Sequence, residues 1–135
     1  MRQIQDLRET AERLELYGRE ILDRFSDAEL LCIYNGIGPD RFPDWLRAII
    51  TEANGLFEPA ALIHDVRYYI GGDREDFTCA NDEFRENCYK LVEAEYPWYS
   101  PRRYRWYFRA WRYAGYCQEF GWEGYNKTKD SKGEK

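Results

Sequence analysis

Leu62-Ile63-His64-Asp65-Val66-Arg67-Tyr68-Tyr69 sets the only histidine of the chain directly beside an aspartate. The stretch reads as helix: Pro59 suits a first turn, Ala60, Ile63, His64, Arg67 and Tyr68 recur at helical spacing, and Gly71-Gly72 is a stop signal. Seventeen residues after His64 comes Asn81-Asp82-Glu83-Phe84. It falls inside a second helix expected over about residues 74–95, with Phe77, Phe84, Cys88, Leu91 and Val92 apolar and Pro97 beyond its end. The short connection between the two implies an antiparallel pair. The fold class expected is therefore all-α.

Outward from this pair, residues 3–25 carry Ile4, Leu7, Ala11, Leu14, Tyr17, Gly18, Ile21 and Phe25 at helical spacing, predicting one amphipathic N-terminal helix. Ser26-Asp27-Ala28-Glu29 reads as a capping box that opens a short second helix ending at Asn35-Gly36. Two glycines and two prolines in residues 35–43 make a glycine-rich loop, and Trp45–Ile50 is expected as a small helix beneath it. A final helix over about 102–117 is expected to place Tyr104, Tyr107, Phe108, Trp111 and Gly115 on one face and Arg105, Arg109, Arg112 and Tyr116 on another. Residues 1–125 are read as one domain and residues 126–135 as a polar, disordered tail.

A net charge of −5 argues against a nucleic-acid binder, although Arg102, Arg103, Arg105, Arg109 and Arg112 fall together with no acid between them. Aromatic residues make up 18% of the chain and are read first as core rings whose polar tips reach the surface, second as an interface-seeking surface. With no long apolar run and no secretory signal at Met1-Arg2-Gln3-Ile4, a cytoplasmic protein is expected. Cys32, Cys79, Cys88 and Cys117 match no metal or redox spacing and are expected to be reduced.

His64 and Asp65 point about 100° apart around a helix, so they can serve neighbouring but separate subsites. Tyr68, one turn after His64, can reach a carboxylate on the antiparallel partner, and Asp82 is the candidate. Such a carboxylate fixes the imidazole tautomer and stabilises the imidazolium formed when His64 takes a proton from water. Ester hydrolysis also needs a group to absorb charge on the carbonyl oxygen, and calcium can do so. The backbone carbonyls of Tyr34, Gly36 and Gly38 with the Asp65 carboxylate would suit calcium's preference for hard oxygens.

Tyr34-x-Gly36-x-Gly38, His64-Asp65-x-x-Tyr68 and the segment Ala80-Asn81-Asp82-Glu83-Phe84, over about residues 32–95, resemble the secreted phospholipase A2 superfamily, most closely its viral and phage domains. The resemblance implies His64 as general base, Asp82 as its orienter, Tyr68 as a donor to Asp82, and Asp65 with the loop carbonyls as a calcium site. The implied reaction is hydrolysis of the sn-2 ester of a glycerophospholipid, in a phage-borne enzyme acting in the host cytoplasm. The loop-to-helix disulfide usual in that superfamily has no counterpart, since Ile37, Ala60 and Ala61 stand at those places. The alternative is a catalytically silent module of the same architecture. Arg105, Arg109 and Arg112 with Trp106 would then meet a protein partner; in the enzyme they would meet anionic headgroups of a phospholipid membrane.

Overall fold

The computed structural model describes residues 4–34, 55–122 and 125. Every element among them is helical: α1 (Ile4–Arg13), a 3-10 helix (Arg19–Arg24), α2 (Asp27–Tyr34), α3 (Glu58–Ile70), α4 (Arg74–Glu95) and α5 (Pro101–Phe120). The all-α expectation holds for the described residues. None of these helices is long and apolar enough to cross a membrane. The expected glycine-rich loop, the Trp45–Ile50 helix and the polar tail lie outside the described residues.

α3 is the centre of the molecule. Every residue from Pro59 to Val66 is buried, and so is Tyr68, because α1, the 3-10 helix, α2 and α4 all pack against this one rod. A helix covered on nearly all sides must be apolar nearly all round, which is how Pro59-Ala60-Ala61-Leu62-Ile63 reads. α4 contributes Phe77, Ala80, Asn81, Phe84, Cys88, Leu91 and Val92 to the interior, and α5 lies along α4. The expected capping box forms, with Ser26 Oγ accepting from the Glu29 amide at 3.1 Å while Glu29 accepts from the Ser26 amide, and Asp73 and Asp76 make a second one at the start of α4.

The single N-terminal helix expected over residues 3–25 is two elements. α1 stops at Arg13, and the chain turns through left-handed backbone at Glu15 (φ 53°) and Gly18 (φ 80°) before the 3-10 helix begins. The cause is at long range. The buried Asn87 of α4 accepts from the Tyr17 amide at 2.7 Å and donates to the Tyr17 carbonyl at 2.9 Å, giving this turn the partners that a continuing helix would have supplied. Lys90 donates to the Glu15 carbonyl, and a Cβ at Gly18 would collide with the Glu83 carboxylate. That carboxylate is in turn gripped by Arg67 of α3 through two bonds of 3.0 and 3.1 Å.

On α5 the ring-bearing face is not the buried one. Ala110, Tyr113, Ala114 and Cys117 face inward, while Tyr104, Phe108 and Trp111 stand in solvent with more than half their surface exposed. Small residues face α4 because two long helices approach closely only over small side chains. The stripe Ala110, Tyr113, Ala114, Cys117 therefore wins over the bulkier one.

All four cysteines are free, Cys32 and Cys79 exposed, Cys88 and Cys117 buried. Burial pushes the Cys88 thiol well up and takes Cys117 to about 12, so neither forms thiolate readily. Native protein should therefore label rapidly at Cys32 and Cys79 and only on unfolding at the other two. Replacing the turn's fastener, Asn87→Ala, should cost about 2–4 kcal/mol, read from urea unfolding.

Candidate active site

His64 lies on the side of α3 that faces α4, with its ring against Tyr68 (centroids 4.3 Å apart) and Phe84 (4.8 Å). Only 2% of its surface is exposed. Its Nε2 is 2.8 Å from Oδ1 of Asn81, and the Tyr68 hydroxyl donates to the same oxygen at 3.0 Å. Asn81 is buried as well. Its amide nitrogen donates to Gln118 Oε1 of α5 at 2.8 Å, and Gln118 Nε2 donates to Thr78 Oγ1 at 3.0 Å.

Asp82 is not at the histidine. Its side chain is 57% exposed and sits 3.5 Å from Arg85, one turn along the outer face of α4. The inward stripe of α4 runs through Phe77, Ala80, Asn81, Phe84 and Cys88, a helical period from which residue 82 is displaced by about 100°. The signal was present in the sequence: 81 is four after Phe77 and three before Phe84. The role expected of Asp82 thus falls geometrically to Asn81.

This substitution of an amide for an acid has a chemical consequence. A carboxylate presents an acceptor whichever way it turns, whereas an amide must be turned correctly to offer oxygen to a donor. Here Asn81 turns its nitrogen toward Gln118 of α5 and its oxygen toward His64 and Tyr68. In this arrangement Nε2 of His64 carries the proton, and Nδ1 is the lone-pair nitrogen of the neutral ring. Burial pushes the Tyr68 phenol far above its usual range, which keeps it a donor.

Asp65 is buried as well. Its charge reaches the Cys117 thiol of α5, where it adds to the upward shift caused first by burial. The same charge helps to raise the Tyr68 phenol, whose ring packs on His64, so His64 and Asp65 share a neighbour there. Tyr34 closes α2 and donates its hydroxyl to Glu58 at 2.7 Å, tying the end of α2 to the start of α3. Gly36 and Gly38 lie outside the described residues. Among the described residues no group of three or more His, Cys, Asp and Glu is placed to hold a metal ion.

A second aromatic cluster seals the far side of Tyr68. Phe77 and Tyr125 pack on it and on each other, Trp122 packs on both of them, and the Arg74 guanidinium lies 4.6 Å above the Trp122 ring. Gly121 lets the chain pass there: a Cβ at this position would stand against the Tyr68 hydroxyl and the Cys117 carbonyl.

The chain matches no known protein family, no curated protein and no solved structure.

Gln118 is the residue that sequence reasoning missed, because a glutamine late in the last helix carries no motif. Gln118→Leu should destabilise the protein by about 1–3 kcal/mol by leaving the Asn81 amide nitrogen without an acceptor. Gln118→Glu keeps an acceptor there and should cost clearly less, a difference that thermal melts of the two variants will show.

Proposed function

We propose that this chain is a phospholipase A2-like hydrolase in which His64, positioned by Asn81, activates water against the sn-2 ester of a glycerophospholipid. The observation that carries the reading is the 2.8 Å contact between His64 Nε2 and Asn81 Oδ1, with Tyr68 on the same oxygen. It supplies a base with a defined tautomer. The reading of α3 and α4 as an antiparallel pair is supported by their contacts: His64 meets Asn81, while Tyr68, further along α3, meets Phe77, earlier on α4.

In this mechanism Nδ1 of His64 takes a proton from water as the oxygen attacks the ester carbonyl carbon. The imidazolium keeps its Nε2 hydrogen bond to Asn81. When the tetrahedral adduct collapses, the C–O bond to the glycerol oxygen breaks and Nδ1 returns the proton to that oxygen. Fatty acid and lysophospholipid leave, and the ring is neutral again. Calcium, held by Asp65 with carbonyls of Tyr34, Gly36 and Gly38, would supply a counter-charge to the ester oxygen. Asn81 stabilises the imidazolium through a carbonyl dipole where an aspartate would do so through a full charge, so His64 here is a weaker base than in a His-Asp dyad.

That same amide favours a second reading, a catalytically silent module that keeps the scaffold and binds a partner through α5. Fatty-acid release from phospholipid vesicles separates the two. The hydrolase reading expects release that requires calcium, falls by about 10²–10⁴-fold in His64→Ala and rises in Asn81→Asp, where Gln118 can turn its amide nitrogen toward the new carboxylate. Hydrolysis unaffected by His64→Ala contradicts the mechanism, and no hydrolysis by either the parent or Asn81→Asp supports the silent module. Calorimetric calcium binding by the parent that is lost in Asp65→Asn would support the metal assignment independently of turnover.

A further inference from the structure

We propose that the outer face of α5, together with the Trp98-Tyr99 turn before it, docks on an anionic lipid bilayer. Two adjoining stripes make up this face. One is aromatic: Tyr104, Phe108 and Trp111 recur at helical spacing and are 55%, 56% and 57% exposed. Trp98 and Tyr99 extend it at 72% and 70%, joined to it by the Tyr104 hydroxyl, which donates to the Trp98 carbonyl at 2.6 Å. The other is cationic: Arg102, Arg105, Arg109 and Arg112, all exposed, repeat at the same spacing about 100° further round the helix.

No Asp or Glu occurs from Tyr96 through Gln118, and none of the four arginines is in a salt bridge among the described residues. Instead, Arg109 lies 4.6 Å over the Trp106 ring, and Arg112 reaches the Phe108 ring and the Tyr116 hydroxyl. A chain of net charge −5 thus sets four arginines, outside any salt bridge among the described residues, beside a row of exposed rings. The complementary surface is apolar just beneath a layer of negative charge.

That description fits a bilayer containing anionic lipid better than it fits a folded protein partner. Tyrosine and tryptophan rings with polar tips seat at the boundary between headgroup and acyl chain. Arginines one position round the helix can extend their heads to phosphate while their stems cover apolar surface. A helix lying flat in the interface needs this pairing of an apolar stripe with flanking cations. The proposal does not depend on ester hydrolysis, since a silent module would carry the same face.

Vesicle co-sedimentation of the full chain tests it, using ether-linked lipids that hold no ester to cleave, without calcium. The parent should bind vesicles of phosphatidylcholine with about one third phosphatidylserine at least about tenfold more tightly than phosphatidylcholine alone, and binding should weaken as salt rises. Arg105→Gln with Arg109→Gln and Arg112→Gln should lose about tenfold or more on the anionic vesicles. Phe108→Ser with Trp111→Ser should lose a comparable factor while its helical circular dichroism and melting temperature stay at the parent's, both rings being exposed. Tryptophan fluorescence quenched by brominated acyl chains would support seating of the rings. A parent that stays in the supernatant, binds both lipids equally, or keeps its binding in both sets of variants overturns the proposal. So does a ring-dependent dimer with no vesicle binding, which would make the face a contact between copies of this chain.

Discussion

One buried amide oxygen, Oδ1 of Asn81, accepts from two donors on the neighbouring helix, His64 Nε2 and the Tyr68 hydroxyl. Every other feature of the interior bears on that meeting. Three polar groups withdrawn from water are tolerable only if each is satisfied, and the chain from Thr78 through Gln118 to Asn81 supplies the partners. A network of this kind permits one arrangement of α3, α4 and α5 and penalises the others, because a small displacement would strand a donor. The polar centre thus specifies how the helices meet, and the surrounding apolar packing provides the stability.

The scaffold holds α3 by contacts of different kinds. Arg67 clamps Glu83 on α4, and Asn87 of α4 fastens the turn after α1. Gly121 allows the end of α5 to come against Tyr68, and the rings of Trp122 and Tyr125 close over Phe77. The consequence is a histidine held on several sides, with its ring plane set by Tyr68 and Phe84 and its proton by Asn81. Were His64 the base proposed above, both restraints would position it in advance of reaction. The cost is a neutral orienter, and with it a smaller bias toward the imidazolium than a carboxylate would give.

Much of this was legible in the sequence where the determinants are local. The bounds of α4 were read correctly from the apolar period and Pro97, and the capping box at Ser26 from four consecutive residues. Three readings went astray where a distant group or a competing signal decided the outcome. The helix over 3–25 is interrupted because Asn87, about seventy positions away, binds the Tyr17 backbone. Asp82 was chosen by chemical type, yet the helical period that places Phe77 and Phe84 inside places Asn81 beside them and turns Asp82 to solvent. Aromatic residues in general were read first as core rings, whereas on α5 close approach to α4 selects alanines and leaves Tyr104, Phe108 and Trp111 in solvent. Tyr34, Asp65 and His64 are on described helices as expected, while Gly36 and Gly38 belong to residues outside the description.

The central claim concerns a single proton, and nitrogen NMR of the lone His64 ring reports on it directly. In neutral ring at high pH, the account predicts that Nε2 has the shift of a protonated, hydrogen-bonded nitrogen and Nδ1 that of a nitrogen with a lone pair, and that Asn81→Leu removes this preference. A ring protonated on Nδ1 in the parent, or a tautomer indifferent to residue 81, would contradict it.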